Sequence, residues 1–247
     1  MENVNKLGVI GAGQMGGGIA QVAAQSGIEV LLVDIDDALA QRGRDAIAAR
    51  LERAVTKGRI EQPDCDATLG RLAAKGDLGA LEGCDFVVEA APENAELKER
   101  IFSEIDGICG NAAVLASNTS SISITRIAAA TDRPERVIGM HFMNPVWSMQ
   151  LVEVIRGLQT SDDTHRRTVA LSETMGKTVV NALRDYPGFI VNRILIPMLN
   201  EAIYALMEGV GTADDIDAAI RLGLKHPMGP LALADWIGLD TCLSIAE

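Results

Sequence analysis

Residues 7–16 have the sequence LGVIGAGQMG, in which an apolar run leads directly into glycines spaced as GxGxxG. The apolar run is typical of a strand buried on both faces. Residues 19–25 continue at helical spacing, and residues 30–33 (VLLV) form a second apolar run that ends at Asp34. This pattern predicts a strand–helix–strand unit with a right-handed crossover, and an α/β domain around it.

The glycine loop lies in the context that the dinucleotide-binding fingerprint requires, because it follows a strand, opens a helix and precedes an acidic strand end. The helix N-terminus offers N–H groups and a positive dipole end to a pyrophosphate. Asp34 is expected to bind the adenosine ribose and to repel a 2′-phosphate, which predicts NAD as the cofactor. The alternative is a glycine turn without a ligand. The expected cofactor-binding residues of the loop are Gly11, Ala12, Gly13, Gln14, Met15 and Gly16.

The rest of the chain predicts a Rossmann-type doubly wound sheet with a helical-hairpin insertion after the second strand, within residues 36–81. Further strands are expected at residues 86–89, 114–116, 137–139, 151–155 and 178–180, with helices at residues 95–109 and 162–175. These elements make residues 1–185 an NAD-binding domain.

No strand pattern remains after residues 186–188 (YPG), so residues 186–247 are expected to form a smaller all-α domain. A long helix is predicted over residues 189–208, with a kink at Pro197. Residues 239–247 resemble the start of an amphipathic helix that stops without a C-cap. We therefore expect the sequence to be incomplete at its C-terminal end.

The composition excludes several function classes. A formal net charge of −12 and a pI of about 4.7 argue against nucleic acid or an anionic membrane as the main partner. The longest uncharged stretch, residues 7–28, holds seven glycines, so it is not expected to span a membrane. The four cysteines lie far apart without metal-binding spacing, which predicts reduced thiols, no metal and a cytoplasmic location.

One segment departs from the acidic average. Residues 38–60 contain six basic and two acidic side chains, so this basic island carries a net charge of +4. Its basic residues are Arg42, Arg44, Arg50, Arg53, Lys57 and Arg59. The island is either a solvated helix face or a local site for a small polyanion.

An acid–base pair is the second candidate site. Among three histidines, His165 is expected on an exposed helix and His226 in a loop, whereas His141 ends an apolar strand. Ligands of open α/β sheets bind beyond the carboxyl ends of such strands. Glu153 interrupts the apolar run LVEVI, and a buried carboxylate there needs a partner. A glutamate bonded to one imidazole nitrogen would stabilise the imidazolium, leaving the other nitrogen to exchange a proton with a hydroxyl. The alternative for His141 is a purely structural role.

The sequence resembles the short-chain L-3-hydroxyacyl-CoA dehydrogenase family over essentially the whole chain. The resemblance rests on the glycine loop and on the motifs VVEA (87–90), SNTSS (117–121), HFMNP (141–145), LVE (151–153), PGFIVNR (187–193) and PMGP (227–230). It implies NAD-dependent interconversion of L-3-hydroxyacyl-CoA and 3-ketoacyl-CoA. Short acyl chains, such as that of 3-hydroxybutyryl-CoA, are expected.

The resemblance also implies roles for single residues. His141 would be the general acid/base, Glu153 would orient it, and Ser120 and Asn192 would lie beside the reacting oxygen and thioester. Further NAD contacts would come from Glu93, Lys98, Ser120 and Asn144. The CoA moiety would be bound by Lys57, with Arg50 and Arg53 of the basic island nearby.

The same resemblance implies a homodimer formed through the helical domain. Two departures stand out: Met143 replaces a phenylalanine of the family, and relatives continue past residue 247, where some carry a cofactor-contacting lysine. Glu93 and Lys98 have a plainer interpretation as a surface ion pair. A dehydrogenase of free hydroxy acids or sugar acids, and a non-catalytic NAD-binding protein, are the competing functions.

Overall fold

The computed structural model of the protein describes residues 4–246. The chain divides into two compact units, Met1–Tyr186 and Pro187–Glu247. Within the described residues, every strand belongs to the first unit, and the second unit contains helices only.

The first unit is built on a sheet. Its strands are β1 (Lys6–Ile10), β2 (Glu29–Val33), β3 (Leu72–Lys75), β4 (Phe86–Glu89), β5 (Val114–Ser117), β6 (Val137–Phe142), β7 (Leu151–Ile155) and β8 (Thr178–Ala182). Within residues 4–246 they form one eight-stranded sheet with the order β3-β2-β1-β4-β5-β6-β7-β8. Neighbouring strands are parallel except β6 and β7, which are antiparallel. The predicted doubly wound α/β fold is confirmed.

The central strands are apolar because helices cover both of their faces. All four residues of β4 and of β5 are buried, and Val9, Leu32 and Val88 are fully excluded from solvent. The strands predicted at residues 86–89 and 151–155 coincide with β4 and β7. Strand β6 continues to Phe142, three residues beyond the predicted end, so His141 lies inside the strand.

Helices lie between most of these strands along the chain. They are α1 (Gln14–Gln25), α2 (Asp37–Thr56), α3 (Gln62–Gly70), α4 (Ala95–Ile108), α5 (Ile124–Ala128) and α6 (Asp162–Thr174). The predicted helical hairpin after the second strand is formed by α2 and α3. The side chain of Asp36 caps α2 by accepting a hydrogen bond from the Leu39 N–H at 2.7 Å.

Strand β3 was not predicted, because the sequence pattern of residues 36–81 indicated only helical segments. Its sequence, LAAK, contains no β-branched or aromatic residue, and alanine and lysine favour helices. The strand forms nevertheless because it extends the sheet in parallel beside β2, with Leu72 in register with Val30. Pairing with an existing strand outweighs local propensity here.

The second unit consists of α7 (Val191–Met207), α8 (Ala213–Gly223), α9 (Pro230–Ile237) and α10 (Leu239–Ala246). The long helix continues through Pro197. The carboxylate of Asp217 on α8 accepts hydrogen bonds from the N–H groups of Leu231 and Ala232 at 2.8 and 2.9 Å, which ties α8 to the start of α9. None of the helices within residues 4–246 has both the length and the apolarity needed to cross a membrane.

Candidate active site

The glycine loop joins β1 to α1, and two of its glycines are required by packing. Gly11 has a positive φ of 93°, and a Cβ there would come within 2.6 Å of the Ala90 carbonyl oxygen. A Cβ on Gly16 would overlap the carbonyl oxygen of Gly11. These two positions therefore exclude any larger residue for reasons internal to the fold.

Gly13 differs from both, because a Cβ added there would meet no protein atom within 4 Å. Its backbone is extended (φ −70°, ψ −164°), so glycine is not required by conformation either. Gly13 is also the N-cap of α1, and no side chain caps this helix end. The open space beside an uncapped helix N-terminus fits a bound pyrophosphate, whose oxygens accept hydrogen bonds from backbone N–H groups.

A cleft of about 700 Å³ extends from this loop. Asp34 lies on it at the end of β2, where its carboxylate accepts hydrogen bonds from the N–H groups of Ala12 (2.7 Å) and Ile35 (2.8 Å). Asp34 thus fixes the glycine loop as well as facing the cleft. The apolar wall includes Leu97 and Ile101, which sequence reasoning missed although their i, i+4 spacing on α4 places them on one helix face.

The structure brings His141 and Glu153 together. They are directly opposite each other in the antiparallel pair of β6 and β7, so their side chains lie on the same face of the sheet. His141 Nδ1 is 2.7 Å from Glu153 Oε2, and the two side chains are 8% and 0% exposed. The buried carboxylate of Glu153 therefore has the polar partner that its position inside an apolar run requires.

Asn118 supports this pair and was missed by the sequence interpretation. It follows β5 directly, and its Oδ1 accepts a hydrogen bond from the Phe142 N–H at 2.9 Å. The bond fixes the backbone next to His141. On the other side, Gln14 of the glycine loop donates from Nε2 to Asn144 Oδ1 at 2.9 Å, which links the loop to the segment after β6.

The loop of residues 119–121 is attached to Glu93. One carboxylate oxygen, Oε1, accepts hydrogen bonds from the Thr119 hydroxyl (2.5 Å), the Ser120 N–H (2.9 Å) and the Ser121 N–H (3.2 Å). The Ser120 hydroxyl also donates to it at 3.3 Å. Burial opposes ionisation of Glu93, but the hydrogen bond from Thr119, the charge of Lys98 and the hydrogen bonds from Ser120 and Ser121 together outweigh burial and lower its pKa.

The interpretation of Glu93 and Lys98 as a surface pair is wrong. Glu93 lies in the loop before α4, and Lys98 is 1% exposed. Lys98 Nζ lies 3.4 Å from Glu93 Oε2 and 2.6 Å from Oε1 of Glu89, a fully buried carboxylate. Glu89 was missed as a candidate, although it ends an apolar run much as Glu153 interrupts one.

The basic island places several of its cations around a second cleft, of about 360 Å³. Arg53 and Lys57 are exposed on its rim. Arg50 is held more tightly: it donates to Gln21 Oε1 (2.9 Å) and to the Gly17 carbonyl (3.3 Å), and it lies 4.6 Å from the centre of the Trp147 ring. Burial, together with the charge of Arg53, lowers the pKa of Arg50. Within the other unit, Asn192 lies in the first turn of α7.

Comparison with known families identifies both parts of the chain. Residues 6–186 match the family described as "3-hydroxyacyl-CoA dehydrogenase, NAD binding domain". Residues 188–247 match "3-hydroxyacyl-CoA dehydrogenase, C-terminal domain".

Individual relatives agree with this match. A probable 3-hydroxybutyryl-CoA dehydrogenase of Bacillus subtilis is 50% identical over 244 residues, spanning 99% of this chain and 85% of the relative. The 3-hydroxybutyryl-CoA dehydrogenase of Bradyrhizobium diazoefficiens is 52% identical, with shares of 99% and 83%. The crystal structure of (S)-3-hydroxybutyryl-CoA dehydrogenase from Ralstonia eutropha superposes with a TM-score of 0.94 at 49% identity, covering 98% of this chain and 86% of that one.

Proposed function

Because the chain belongs to the 3-hydroxyacyl-CoA dehydrogenase family, we propose that it interconverts short-chain L-3-hydroxyacyl-CoA and 3-ketoacyl-CoA with His141 and Glu153 as the acid–base pair. It is an NAD-dependent oxidoreductase, as the match of its first unit implies. 3-Hydroxybutyryl-CoA is the proposed substrate, since relatives about half identical to the chain bear its name.

The observation that carries the catalytic assignment is the buried contact of 2.7 Å between His141 and Glu153. Strands β1, β4, β5 and β6 are mutually parallel, so their carboxyl ends lie on the same side of the sheet. His141 is near the carboxyl end of β6, and the glycine loop follows the carboxyl end of β1. Ligands of open α/β sheets bind beyond the carboxyl ends of the strands. An acid–base group and a cofactor loop are therefore combined on one side of the domain.

In oxidation of the hydroxyacyl group, Nε2 of His141 takes the proton of the 3-hydroxyl while carbon 3 loses a hydride. Bound NAD supplies the hydride acceptor. Glu153, bonded to Nδ1, holds the ring orientation and stabilises the imidazolium. In reduction of the keto group, His141 returns the proton to the oxygen. Ser120 and Asn192 are proposed to position that oxygen and the thioester.

The residues proposed to hold NAD come from the glycine loop and from the segments that follow four strands, β2, β4, β5 and β6. The loop receives the pyrophosphate, Asp34 binds the adenosine ribose, and residues after β4, β5 and β6 border the nicotinamide half. The set comprises Gly11, Ala12, Gly13, Gln14, Met15, Gly16, Asp34, Glu93, Ser120 and Asn144, together with Lys98, which is 1% exposed and is proposed to act through its ion pair with Glu93.

The reaction class is tested directly by mixing the protein with acetoacetyl-CoA and NADH. We expect the absorbance of reduced nicotinamide to fall and 3-hydroxybutyryl-CoA to accumulate. A chain-length series of 3-ketoacyl-CoA thioesters, compared with free 3-keto acids, separates the proposal from a dehydrogenase of free hydroxy acids. Turnover of the free acids alone would contradict it.

The basic cleft is proposed to bind the phosphates of CoA through Lys57 and Arg53, with Arg50 shaping its wall. Replacing Lys57→Glu and Arg53→Glu together is expected to raise KM for acetoacetyl-CoA about tenfold, or roughly 1.4 kcal/mol, because two charge-assisted contacts become repulsive. The measurement is steady-state kinetics at low and high salt, where screening should reduce the difference. Arg166→Glu, on α6 and outside the cleft, is the matched control. Equal KM values for the variant and the control would rule out this CoA site.

We further propose a cytoplasmic homodimer that forms through the second unit. This unit exposes large apolar side chains, among them Met207, Leu222 and Trp236. Reduced cysteines agree with the cytoplasmic assignment, since all four are free and three are buried. A monomer mass from light scattering at micromolar concentration would rule out the dimer.

A further inference from the structure

We propose that Glu89 is a positioning residue which, through Lys98 and Glu93, holds Ser120 where the reaction requires its hydroxyl. Ser120 receives its role from the proposed function, so the inference rests on that function. The hydrogen bonds of Glu89 go to Lys98, Ala91 and Ser117, and not to Ser120 or His141. Its effect on Ser120 therefore passes through two charged side chains, Lys98 and Glu93.

Glu89 is the last residue of β4, a strand in the middle of the sheet, and it is 0% exposed. Its Oε1 accepts hydrogen bonds from Lys98 Nζ and from the Ala91 N–H, each at 2.6 Å. Its Oε2 accepts one from the Ser117 hydroxyl at 2.7 Å. A carboxylate so far from solvent is costly unless it is paired and hydrogen-bonded, and this one has both kinds of partner.

The ammonium group of Lys98 connects this carboxylate to the site. Besides Glu89, Nζ contacts the Ala91 carbonyl at 3.1 Å and Glu93 Oε2 at 3.4 Å. Lysine has three donor hydrogens, and three acceptors surround this one. Lys98 therefore lies between two carboxylates, and the shorter contact is with Glu89. Loss of the Glu89 charge would leave Glu93 as the acidic partner of Lys98 among the described residues and draw it towards Nζ.

Glu93 transmits any such movement to the loop of residues 119–121. Its Oε1 accepts hydrogen bonds from both backbone and side-chain groups of that loop, including the N–H and the hydroxyl of Ser120. A displacement of about 1 Å in a positioning group can lower turnover by about 100-fold. The orientation of Ser120 thus depends on where Lys98 places Glu93, and Lys98 depends on Glu89.

Packing alone does not require these charges. Apolar side chains of similar volume often replace a buried ion pair without loss of stability. A glutamine at position 89 with a methionine at position 98 would occupy nearly the same space and leave no unpaired ammonium. The charged pair therefore adds a fixed electrostatic anchor for Glu93 that a neutral pair lacks.

The experiment compares Glu89→Gln, Lys98→Met and the double variant in the intact protein, measuring Tm, kcat and both KM values with acetoacetyl-CoA and NADH. Each single variant is expected to lower Tm, because a buried charge loses its nearest counter-ion. All three variants are expected to lower kcat by roughly 10- to 100-fold and to similar extents. The double variant should recover Tm but not kcat. KM for the thioester should change much less than kcat, since the basic cleft proposed to bind the CoA phosphates is untouched.

The matched control is Asp106→Asn, which removes the charge from the Asp106–Arg133 ion pair of the same unit. It should lower Tm without a change in kcat. The inference is overturned if kcat recovers together with Tm in the double variant. It is also overturned if Glu89→Gln, assayed at a temperature well below its own Tm, has the same kcat as the parent protein. If Glu89→Gln does not fold, kcat and Tm of Lys98→Met are compared with those of the double variant. Recovery of kcat together with Tm in the double variant again overturns the inference. Failure of the proposed function appears differently, as absence of turnover in the parent protein.

Discussion

Replacing His141→Gln is expected to lower kcat for acetoacetyl-CoA reduction by about 1,000-fold, since general acid–base catalysis contributes roughly 10²- to 10⁴-fold. The glutamine amide still reaches towards Glu153, so the buried carboxylate keeps a donor and the fold should persist. KM for NADH and Tm should change little. Stopped-flow measurement of a single turnover with NADH places the loss in the chemical step rather than in product release.

The matched control is His165→Gln on α6, whose ring nitrogen Nε2 lies 2.7 Å from Asn181 Oδ1, outside the candidate site. This variant should retain the parent rate. A His141→Gln protein that turns over at the parent rate would falsify the acid–base assignment, whatever the geometry of the pair.

The second large effect is expected at the glycine loop. Gly13→Val should leave Tm near that of the parent, because an added Cβ meets no protein atom and the extended backbone accepts valine. The same side chain would occupy the space proposed for the pyrophosphate. NAD affinity should therefore fall by about 100-fold, equivalent to roughly 2.7 kcal/mol. Isothermal titration calorimetry with NADH measures the loss.

Two further variants complete this test. Gly70→Val adds the same side chain at a glycine on α3 that is also open, and it should bind NADH as the parent does. Gly16→Ala should unfold or strongly destabilise the protein, because its Cβ would overlap the Gly11 carbonyl. Unchanged NADH affinity in Gly13→Val would show that the cofactor lies elsewhere.

Periodicity and the glycine loop were sufficient to predict seven of the eight strands that the structure describes. The apolar runs of β4 and β7 have lengths typical of buried strands, and the structure matches their predicted bounds. Strand β3 could not be predicted in this way, because LAAK has helical propensity and becomes a strand only beside β2. Sequence patterns thus fail where tertiary pairing opposes local preference.

The candidate site was also predictable from the sequence only in part. Glu153 was noticeable because a charge inside an apolar run must have a partner, but the sequence could not show which residue it contacts. That contact depends on strand register, which places His141 directly opposite Glu153. The burial of Lys98 was not predictable, since lysine on a helix is usually exposed. Only the fold shows that it lies between Glu89 and Glu93.

The antiparallel pairing of β6 and β7 aligns the proposed acid–base pair independently of the segment that connects the two strands. The hydrogen bonds of this ladder align His141 with Glu153, whereas residues 143–150 merely connect the two strands. That connection includes Asn144 and Trp147, which face the cofactor loop and the basic cleft respectively. We therefore expect mutations that reshape or lengthen the connection to alter ligand preference while the proposed proton transfer by His141 and Glu153 is preserved, which makes the connection the first place to engineer new substrate range.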